Sequence, residues 1–510
     1  MQAMEWKADY AEFNEAAHKF YAGELPASQY KGISGAFGSY AQRGGQASML
    51  RLRMTAGRVT KEKLAFVAKA IRKYDVDTMH FTTCQAIQLH NLSEEAVTDL
   101  AAAALEAGIV TRGGGGDFPR NVMCSPLTGL EKGEYFNVLP YAEAAGEFLM
   151  GYIKTVKLPR KLKVCFSNSP ANIPHATFRD LGFVARPDGL FDVYSAGGLG
   201  NNPRMGVKVG EAVTGDKLLY YIQAMVDMFT TYGNYTNRAK ARTRYMQEVL
   251  GDSYAEEFRK KLEAVLASRH DLDMTVSYEE VSKTGDGSSI DDPRAIPQKQ
   301  AGLYSVVYHP QGGTPDPRAF CALADKVAAI EGAEMRLDPH EAVWIVNLTG
   351  EEAKEIIAMT PESAGNDFEA SVACIGAAIC QVGVRDSQAA LAEIMTAAKK
   401  WDFSTDYLPQ MHISGCPSSC GTHQIGDLGF RGGAKKVDGV SVPAFVLFVG
   451  GSDIQEDETF GEQFGTIAQS DMPAFLEELG RTLAGAGEHF TDWYPDHTED
   501  FREIAGKYTN

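Results

Sequence analysis

The stretch TMHFTTCQAIQLHNL, residues 78–92, returns 256 positions later as EMRLDPHEAVWIVNL, residues 334–348, without a gap. Met79, Ala86, Asn91 and Leu92 recur as Met335, Ala342, Asn347 and Leu348. Each copy reads as a strand, and a helical pattern precedes each. Leu64, Val67, Ala68 and Ile71 share one face of the first helix, and Phe320, Leu323, Ala324 and Val327 hold the same places in the second. At the same offset Cys124 falls on Cys380, and LPRKLK (158–163) is similar to LPQMHI (408–413) at an offset of 250. A repeat of this kind predicts an α+β fold that is internally duplicated, with two pseudo-symmetric α/β halves around a shared interface. Such an interface is a usual seat for a large cofactor.

Outward from the repeat, residues 1–34 read as a helical arm ending near Pro26, and GAFGSYAQRGGQASMLRLRM (35–54) as strand, turn, strand. Ser93 is placed to cap the helix SEEAVTDLAAAALEAG (93–108). Residues 205–268 read mostly as helix, including the basic run NRAKARTRYMQ (237–247), and the Gly-, Ser-, Asp- and Pro-rich stretch 283–297 as a linker. GGGGD (113–117) lacks the GxGxxG spacing of a dinucleotide site, so no flavin or nicotinamide site is expected. The 510 residues suffice for about three domains, and 23% charged with 44% apolar residues describe an ordinary globular chain. A net charge of −18 argues against a nucleic-acid partner. The acidic N-terminus and the shortness of VPAFVLFV (442–449), the longest apolar run, predict neither export nor a membrane span. Eight cysteines grouped in couples suit a reducing cytoplasm better than a disulfide framework.

Two of those couples carry chemistry. Cys374 and Cys380 lie six apart in SVACIGAAICQ (371–381), and Cys416 and Cys420 four apart in HISGCPSSCGTHQ (412–424). A four-iron four-sulfur cluster takes a thiolate at each corner of a cube, and two short clips can wrap it from two sides. Pro417 fixes φ for the second turn, and if a helix begins there its free amides point at anionic sulfur. Structural zinc, which prefers closer spacings, and four plain core cysteines are the alternatives. Cys124, Cys165 and Cys321 read as core.

This acidic chain also sets cations on three segments: Arg51 and Arg53 in MLRLRM, Arg120 in FPRNVMCSP, and Lys161 and Lys163 in LPRKLKV. Alternation puts each pair on one strand face. A solvated face explains one such pair; three segments flanking a glycine-rich loop favour a functional reading.

Taken together, the Cys-x5-Cys and GCPxxC clips, MLRxR, PRNVxCSP, LPRKxK and NRxKxR resemble the siroheme-dependent sulfite and nitrite reductases, in that family's order over about residues 35–505. The resemblance implies two ferredoxin-like units and two larger cofactor-binding domains: an arm (1–34), ferredoxin-like half 1 (35–112), a first siroheme and substrate domain (113–282), a linker (283–299), ferredoxin-like half 2 (300–365), and a domain for the 4Fe-4S cluster and siroheme (366–510). It implies that Cys374, Cys380, Cys416 and Cys420 hold the cluster, with Cys420 also bridging to the siroheme iron. Arg51, Arg120, Lys161 and Lys163 would bind the substrate anion. Gln42, Arg43, Arg53, Gln85, Gln88, His90, Asn237, Arg238, Lys240 and Arg242 would hold the eight carboxylates of siroheme. Three departures stand out: Cys84 where the family has an arginine facing the cofactor, Thr55 and Ala56 for Pro-Gly, and Ser418 for a frequent Asn.

The implied reaction is the six-electron reduction of sulfite to sulfide, with nitrite to ammonia as the alternative. In the family a second lysine, here Lys163, tends to accompany sulfite, and two lysines suit a dianion. A non-catalytic iron-sulfur electron carrier is the reading from another class. With no flavin module of its own, the chain is expected to draw electrons from ferredoxin or a flavoprotein, docking on a basic patch around Arg431, Lys435 and Lys436.

Overall fold

The structure is a computed structural model describing residues 3–278 and 280–509. It divides into two compact units. The first comprises Met1–Gly198, Pro203–Val307 and Pro315–Pro361, and the second Leu199–Asn202, Tyr308–Thr314 and Glu362–Asn510.

In the first unit the repeated stretches are hairpins, not single strands. Residues 78–92 form β4 (Met79–Phe81) and β5 (Ala86–Leu92), and residues 334–348 form β13 (Glu334–Leu337) and β14 (Val343–Leu348). The bend comes from non-glycine residues in the left-handed region, Gln85 at φ 52° and Glu341 at φ 65°. Thr82 secures the first bend, its Oγ1 accepting the N–H groups of Cys84 and Ala86 at 3.4 and 3.2 Å. With β1 (Ser39–Ala41) and β2 (Ser48–Arg53), β4 and β5 build an antiparallel sheet in the order β1-β2-β5-β4.

The second copy repeats this with β11 (Ala295–Pro297) and β12 (Tyr304–Tyr308), in the order β11-β12-β14-β13-β3. Its fifth strand, β3 (Arg58–Val59), comes from the first copy and pairs Arg58 with Arg336 and Val59 with Met335. Arg58 Nε also bonds Glu334 at 2.8 Å. The helices Lys61–Tyr74 and Pro317–Ala329 pack on one another, Phe81 meeting Phe320 edge-on at 5.9 Å. Both ferredoxin-like sheets therefore belong to one compact unit, and the expected linker contributes an edge strand, Ala295–Pro297, to the second of them. The helix after β5 starts at Ser93, whose side chain accepts the Ala96 N–H as anticipated.

The third sheet of this unit runs β10-β9-β8-β7-β6, with β6 (Met123–Cys124), β7 (Val164–Ser167) and β8 (Leu181–Ala185) parallel, and β9 (Phe191–Ser195) and β10 (Val207–Val213) antiparallel. Phe166, Phe183 and Phe191 fill its core against Leu149, Met225 and Phe258. Two helical expectations fail here. Residues 207–213 form an edge strand, mostly half-exposed and bulged at Gly210, and the basic run forms two 3-10 turns, Arg238–Lys240 and Thr243–Tyr245, instead of an α-helix.

The second unit holds a sheet of the same order and sense, β15-β16-β17-β18-β19, formed by β15 (Val372–Ala373), β16 (Met411–Ser414), β17 (Leu428–Val437), β18 (Val440–Val449) and β19 (Glu462–Ala468). Its core gathers Phe445, Leu447, Phe475, Leu479, Trp493 and Phe501. Register fixes the equivalence. Cys165 pairs with Gly182 as His412 pairs with Gly429, an offset of 247, not the 250 suggested by LPRKLK and LPQMHI. Met123 pairs with Cys165 as Val372 pairs with His412, so the counterpart of Cys124 is Ala373 and not Cys380. A Cβ at Gly182 would lie 1.8 Å from the Ala176 carbonyl oxygen, and one at Gly429 would lie 1.7 Å from that of His423. Glycine is required at both places by the same turn of chain. Among the described residues no helix is long and apolar enough to cross a membrane.

Candidate active site

The cations expected to bind an anion all belong to the first unit, and the structure brings several of them together. Arg51 and Arg53 point from the same side of β2. Arg51 Nη1 donates to the Gly114 carbonyl at 2.8 Å, and Arg53 to those of Arg112 and Arg120 at 3.0 and 3.1 Å. Arg120 also reaches Gly114, and donates to the Gly116 carbonyl at 2.7 Å. The GGGG loop thus folds over the guanidinium groups. Burial, with the like charge of a neighbouring arginine, brings Arg53 down to about 10; burial does the same to Arg120, and both stay charged at neutral pH. Residues 118–120 run parallel to residue 162, joined by the Arg120 N–H to the Leu162 carbonyl at 2.8 Å. Leu162 is buried while Lys161 and Lys163 on either side are half-buried, which is the alternation read from the sequence.

Lys163 Nζ lies 3.0 Å from Cys84 Sγ. Burial pushes that thiol up, but the charges of Lys163, Arg179 and Lys161, with the Lys163 hydrogen bond, outweigh it and bring Cys84 down to about 6. The Lys163 backbone N–H donates to Asp180 Oδ2 at 2.7 Å. The same fully buried carboxylate takes Arg242 Nη2 at 3.0 Å and the Thr243 hydroxyl.

The ten residues expected to hold carboxylates divide. Gln85 spends its amide on the backbone, donating to the Cys124 and Leu337 carbonyls at 2.7 Å each and accepting the Cys124 N–H at 2.9 Å. It brackets the hairpin bend and is withdrawn from the carboxylate set. Gln88, with its amide turned to suit its neighbours, accepts from Arg51 at 2.7 and 3.0 Å and donates to His90 Nε2 at 3.3 Å. His90 Nδ1 faces Gln42 Oε1 at 3.3 Å, and burial, helped by His80 and Arg51, pushes His90 down to about 3, so it is neutral. Gln42 continues to Asn91 Oδ1 at 2.7 Å. Gln42, Gln88 and His90 thereby form a chain behind Arg51. Arg43, Asn237, Arg238 and Lys240 are exposed. Asn237 caps its own turn, Arg238 pairs with Asp117 at 2.8 Å and Lys240 with Glu248 at 3.3 Å.

The cysteine clips belong to the second unit. Cys374 directly follows β15, its N–H bonded to the Ile413 carbonyl at 3.1 Å, and the loop back to residue 387 is tightened by the Cys380 N–H on the Gly376 carbonyl at 2.9 Å. No helix starts at the second clip. Residues 415–427 are successive turns, with Ser419 and Thr422 in the left-handed region at φ 54° and 53°. Sulfur still receives an amide, because the Gly415 N–H donates to Cys374 Sγ at 3.2 Å. Burial and the nearby Cys420 charge push the Cys374 thiol up to about 12. Cys416 is buried and Cys420 exposed. Among the described residues no three of these sulfurs lie within 4.8 Å of one another, whereas a shared zinc would hold its sulfurs about 4 Å apart.

Comparison with known proteins settles the family. The family model described as Nitrite and sulphite reductase 4Fe-4S domain matches residues 115–269 and 364–483, and that of the Nitrite/Sulfite reductase ferredoxin-like half domain matches residues 40–107. The chain belongs to the nitrite and sulphite reductase family. It is 27% identical to a ferredoxin–nitrite reductase of Synechococcus elongatus, over 84% of this chain and 85% of that one. It is 25% identical to sulfite reductase [ferredoxin] 1 of Mycolicibacterium paratuberculosis, over 87% and 81%. The fold is that of the Mycobacterium tuberculosis NirA protein, with a TM-score of 0.78 at 23% identity over 96% of this chain and 94% of that one. As a nitrite and sulphite reductase family member the chain is an oxidoreductase whose cofactors are a siroheme and a 4Fe-4S cluster.

The residues present fit that pair of groups. The donors Arg120 Nε and Arg242 Nε are buried without a partner among the described residues, which suits a ligand bearing many carboxylates. Sequence reasoning missed Asp180, Arg179, Asn121 and Tyr40. Arg179 is held by the Pro174 carbonyl at 2.9 Å and by His175 at 3.0 Å. Asn121 Nδ2 grips the Cys84 and Gln85 carbonyls at 3.1 and 2.9 Å. Burial pushes the Tyr40 phenol up, but Arg120, the Gly116 N–H and Arg51 outweigh it, and its pKa is lowered. A signal for Asp180 and Arg179 lies in FRDLGF, where two opposite charges directly precede a buried strand.

Proposed function

We propose that the chain reduces sulfite to sulfide with six electrons and seven protons, releasing three waters, and draws its electrons from ferredoxin. The observation that carries this reading is the convergence of Arg120, Lys161 and Lys163 with Cys84 in an otherwise acidic chain, at a place where buried polar atoms await partners. When bound, the siroheme would supply the iron for the reduction and the cluster would supply electrons. In this reading Arg51, Arg120, Lys161 and Lys163 bind and orient the anion, and the lysines carry protons to its oxygens. Arg242, fixed by Asp180, holds siroheme carboxylates together with Arg43, Arg53, Asn237, Arg238 and Lys240. Cys374, Cys380, Cys416 and Cys420 would ligate the cluster, with Cys420 the candidate for a thiolate shared with siroheme. A cytoplasmic setting suits four reduced cysteines.

One observation favours nitrite as a second reading. The Cys84 thiolate 3.0 Å from Lys163 cancels one of the two lysine charges that suit a dianion. Relatives bear both names. The deciding experiment changes Lys161 or Lys163 to Met and follows both anions in protein whose siroheme and cluster contents are unchanged. Sulfite turnover is expected to fall on the order of a hundredfold or more. Nitrite turnover alone in the unmutated protein selects the second reading, and turnover of neither anion leaves only an electron carrier.

A further inference from the structure

The geometry points to Cys84 as a working member of the anion pocket: its sulfur pairs with Lys163 and takes up a proton when the anion binds, so that substrate and first proton are loaded together. This rests on the pocket proposed above and goes beyond it, because the residues expected to bind the anion, Arg51, Arg120, Lys161 and Lys163, include no thiol.

Cys84 sits at the bend between β4 and β5, held there by the Thr82 hydroxyl on its N–H at 3.4 Å and by Asn121 Nδ2 on its carbonyl at 3.1 Å. Its side chain packs beside Met123, Cys165, Ala176 and Val184, with Tyr194 at the edge of the same cluster. The charged groups that face it come from three further segments: Lys161 and Lys163 before β7, Arg179 before β8, and Arg120 before β6. The Asp180 carboxylate lies behind them, taken up by the Lys163 N–H and by Arg242. Among the described residues the sulfur is the partner of the Lys163 ammonium group, at 3.0 Å, while the Lys163 backbone N–H goes to Asp180, and Arg179 and Arg242 act on that lysine as like charges.

A pocket that attracts an anion with four cations is thus partly filled by an anion of its own. With the thiol at about 6, it is a thiolate near neutral pH. A bound substrate brings a second negative charge into the same field and favours the protonated sulfur. By linkage, whatever raises proton affinity at sulfur on binding must raise anion affinity as protons are added. Anion binding therefore strengthens as pH falls toward about 6 and levels off below it, where Cys84 is already protonated before the anion arrives and no longer offsets the charge of Lys163. No bond to sulfur forms in this step: one proton moves from solvent to Sγ, and from there it lies beside Lys163, within reach of the reacting anion.

Nitrite is the test ligand, because it does not titrate near neutral pH. Its binding to the oxidised holoprotein is followed by the siroheme spectrum, with a pH indicator in weak buffer reporting proton uptake. The unmutated protein is expected to take up nearly one proton per nitrite at pH 7, and Cys84→Ser and Cys84→Ala none, with affinity that no longer changes with pH. A second measurement leaves Cys84 in place and needs no siroheme signal. Iodoacetamide should alkylate Cys84, located by peptide mass, near neutral pH, and Lys163→Met should slow this about tenfold or more. Unchanged proton uptake in Cys84→Ser, or an alkylation midpoint in the ordinary thiol range that ignores Lys163→Met, overturns the inference. If Lys161→Met and Arg120→Ala also leave nitrite affinity untouched, it is the pocket itself that fails.

Discussion

Cys420 is the exposed member of the four cysteines, while Cys416 in the same clip is buried. That exposure is compatible with the proposed sharing of its sulfur between the cluster and siroheme. Cys420→Ser is expected to lose both siroheme and cluster, since a hard hydroxyl is a poor substitute for thiolate at iron. Cys321→Ser is the matched control: its sulfur only contacts the Ala68 carbonyl at 3.6 Å, and the exchange should cost about 1 kcal/mol with both centres kept. Iron, acid-labile sulfide and siroheme content of the two variants check this, and a Cys420→Ser protein with both centres coupled would reassign the bridge. At this scale the thiols are legible because they are sparse, and the cations because they cluster in an acidic sequence. Asp180 is not, because the groups that explain it, Lys163, Arg242 and Thr243, come from two distant stretches that only the fold assembles. Gln85 misleads for the same reason: the three backbone groups it satisfies belong to Cys124 and Leu337.

Elements repeat more faithfully than residues do. At an offset of 256 the strands β1 and β2 fall on β11 and β12, and left-handed Gln85 and Asn91 fall on left-handed Glu341 and Asn347. Shape is kept where only four side chains in the hairpin stretch are identical, so the first duplication is readable from apolar spacing. The second is not. At an offset of 247 left-handed Asn172 and His175 fall on left-handed Ser419 and Thr422, but Cys416 and Cys420 fall on Ser169 and Ile173. The first half keeps the turn and lacks the thiols, and a search led by cysteine passes over it. The shared turn predicts a shared weakness. Gly429→Ala drives a Cβ into the His423 carbonyl oxygen and Gly182→Ala into that of Ala176, so each should destabilise its sheet by about 3 kcal/mol. In Gly433→Ala the new methyl meets Val446 at an ordinary 3.5 Å, and the unfolding midpoint should barely move, within about 0.5 kcal/mol. Urea unfolding of the three variants reads the difference, and equal midpoints would show that the turn can relax.

For the whole molecule, the boundary of the duplication and the boundary of the compact units differ, because β3 of the first copy completes the second copy's sheet through Arg58 and Val59. A two-residue strand carries no readable period, so sequence cuts the chain where the repeat ends and the fold does not. Net charge, by contrast, is fully legible and has a consequence for electron supply. A chain at −18 repels an acidic donor at long range, so docking needs a local basic surface. Of the three expected residues, Lys435 is tied to the Tyr508 carbonyl at 2.7 Å, Arg431 lies 5.4 Å over the Phe448 ring, and Lys436 is exposed. Arg431→Glu with Lys436→Glu should therefore raise the KM for ferredoxin about tenfold at low ionic strength, with the difference shrinking as salt screens it. Turnover driven by a reduced viologen dye, which needs no docking, should stay as it was. Parallel loss with both donors would place the damage in the sheet β17-β18 and not at a donor surface, and no loss with either would move the docking site elsewhere on the chain.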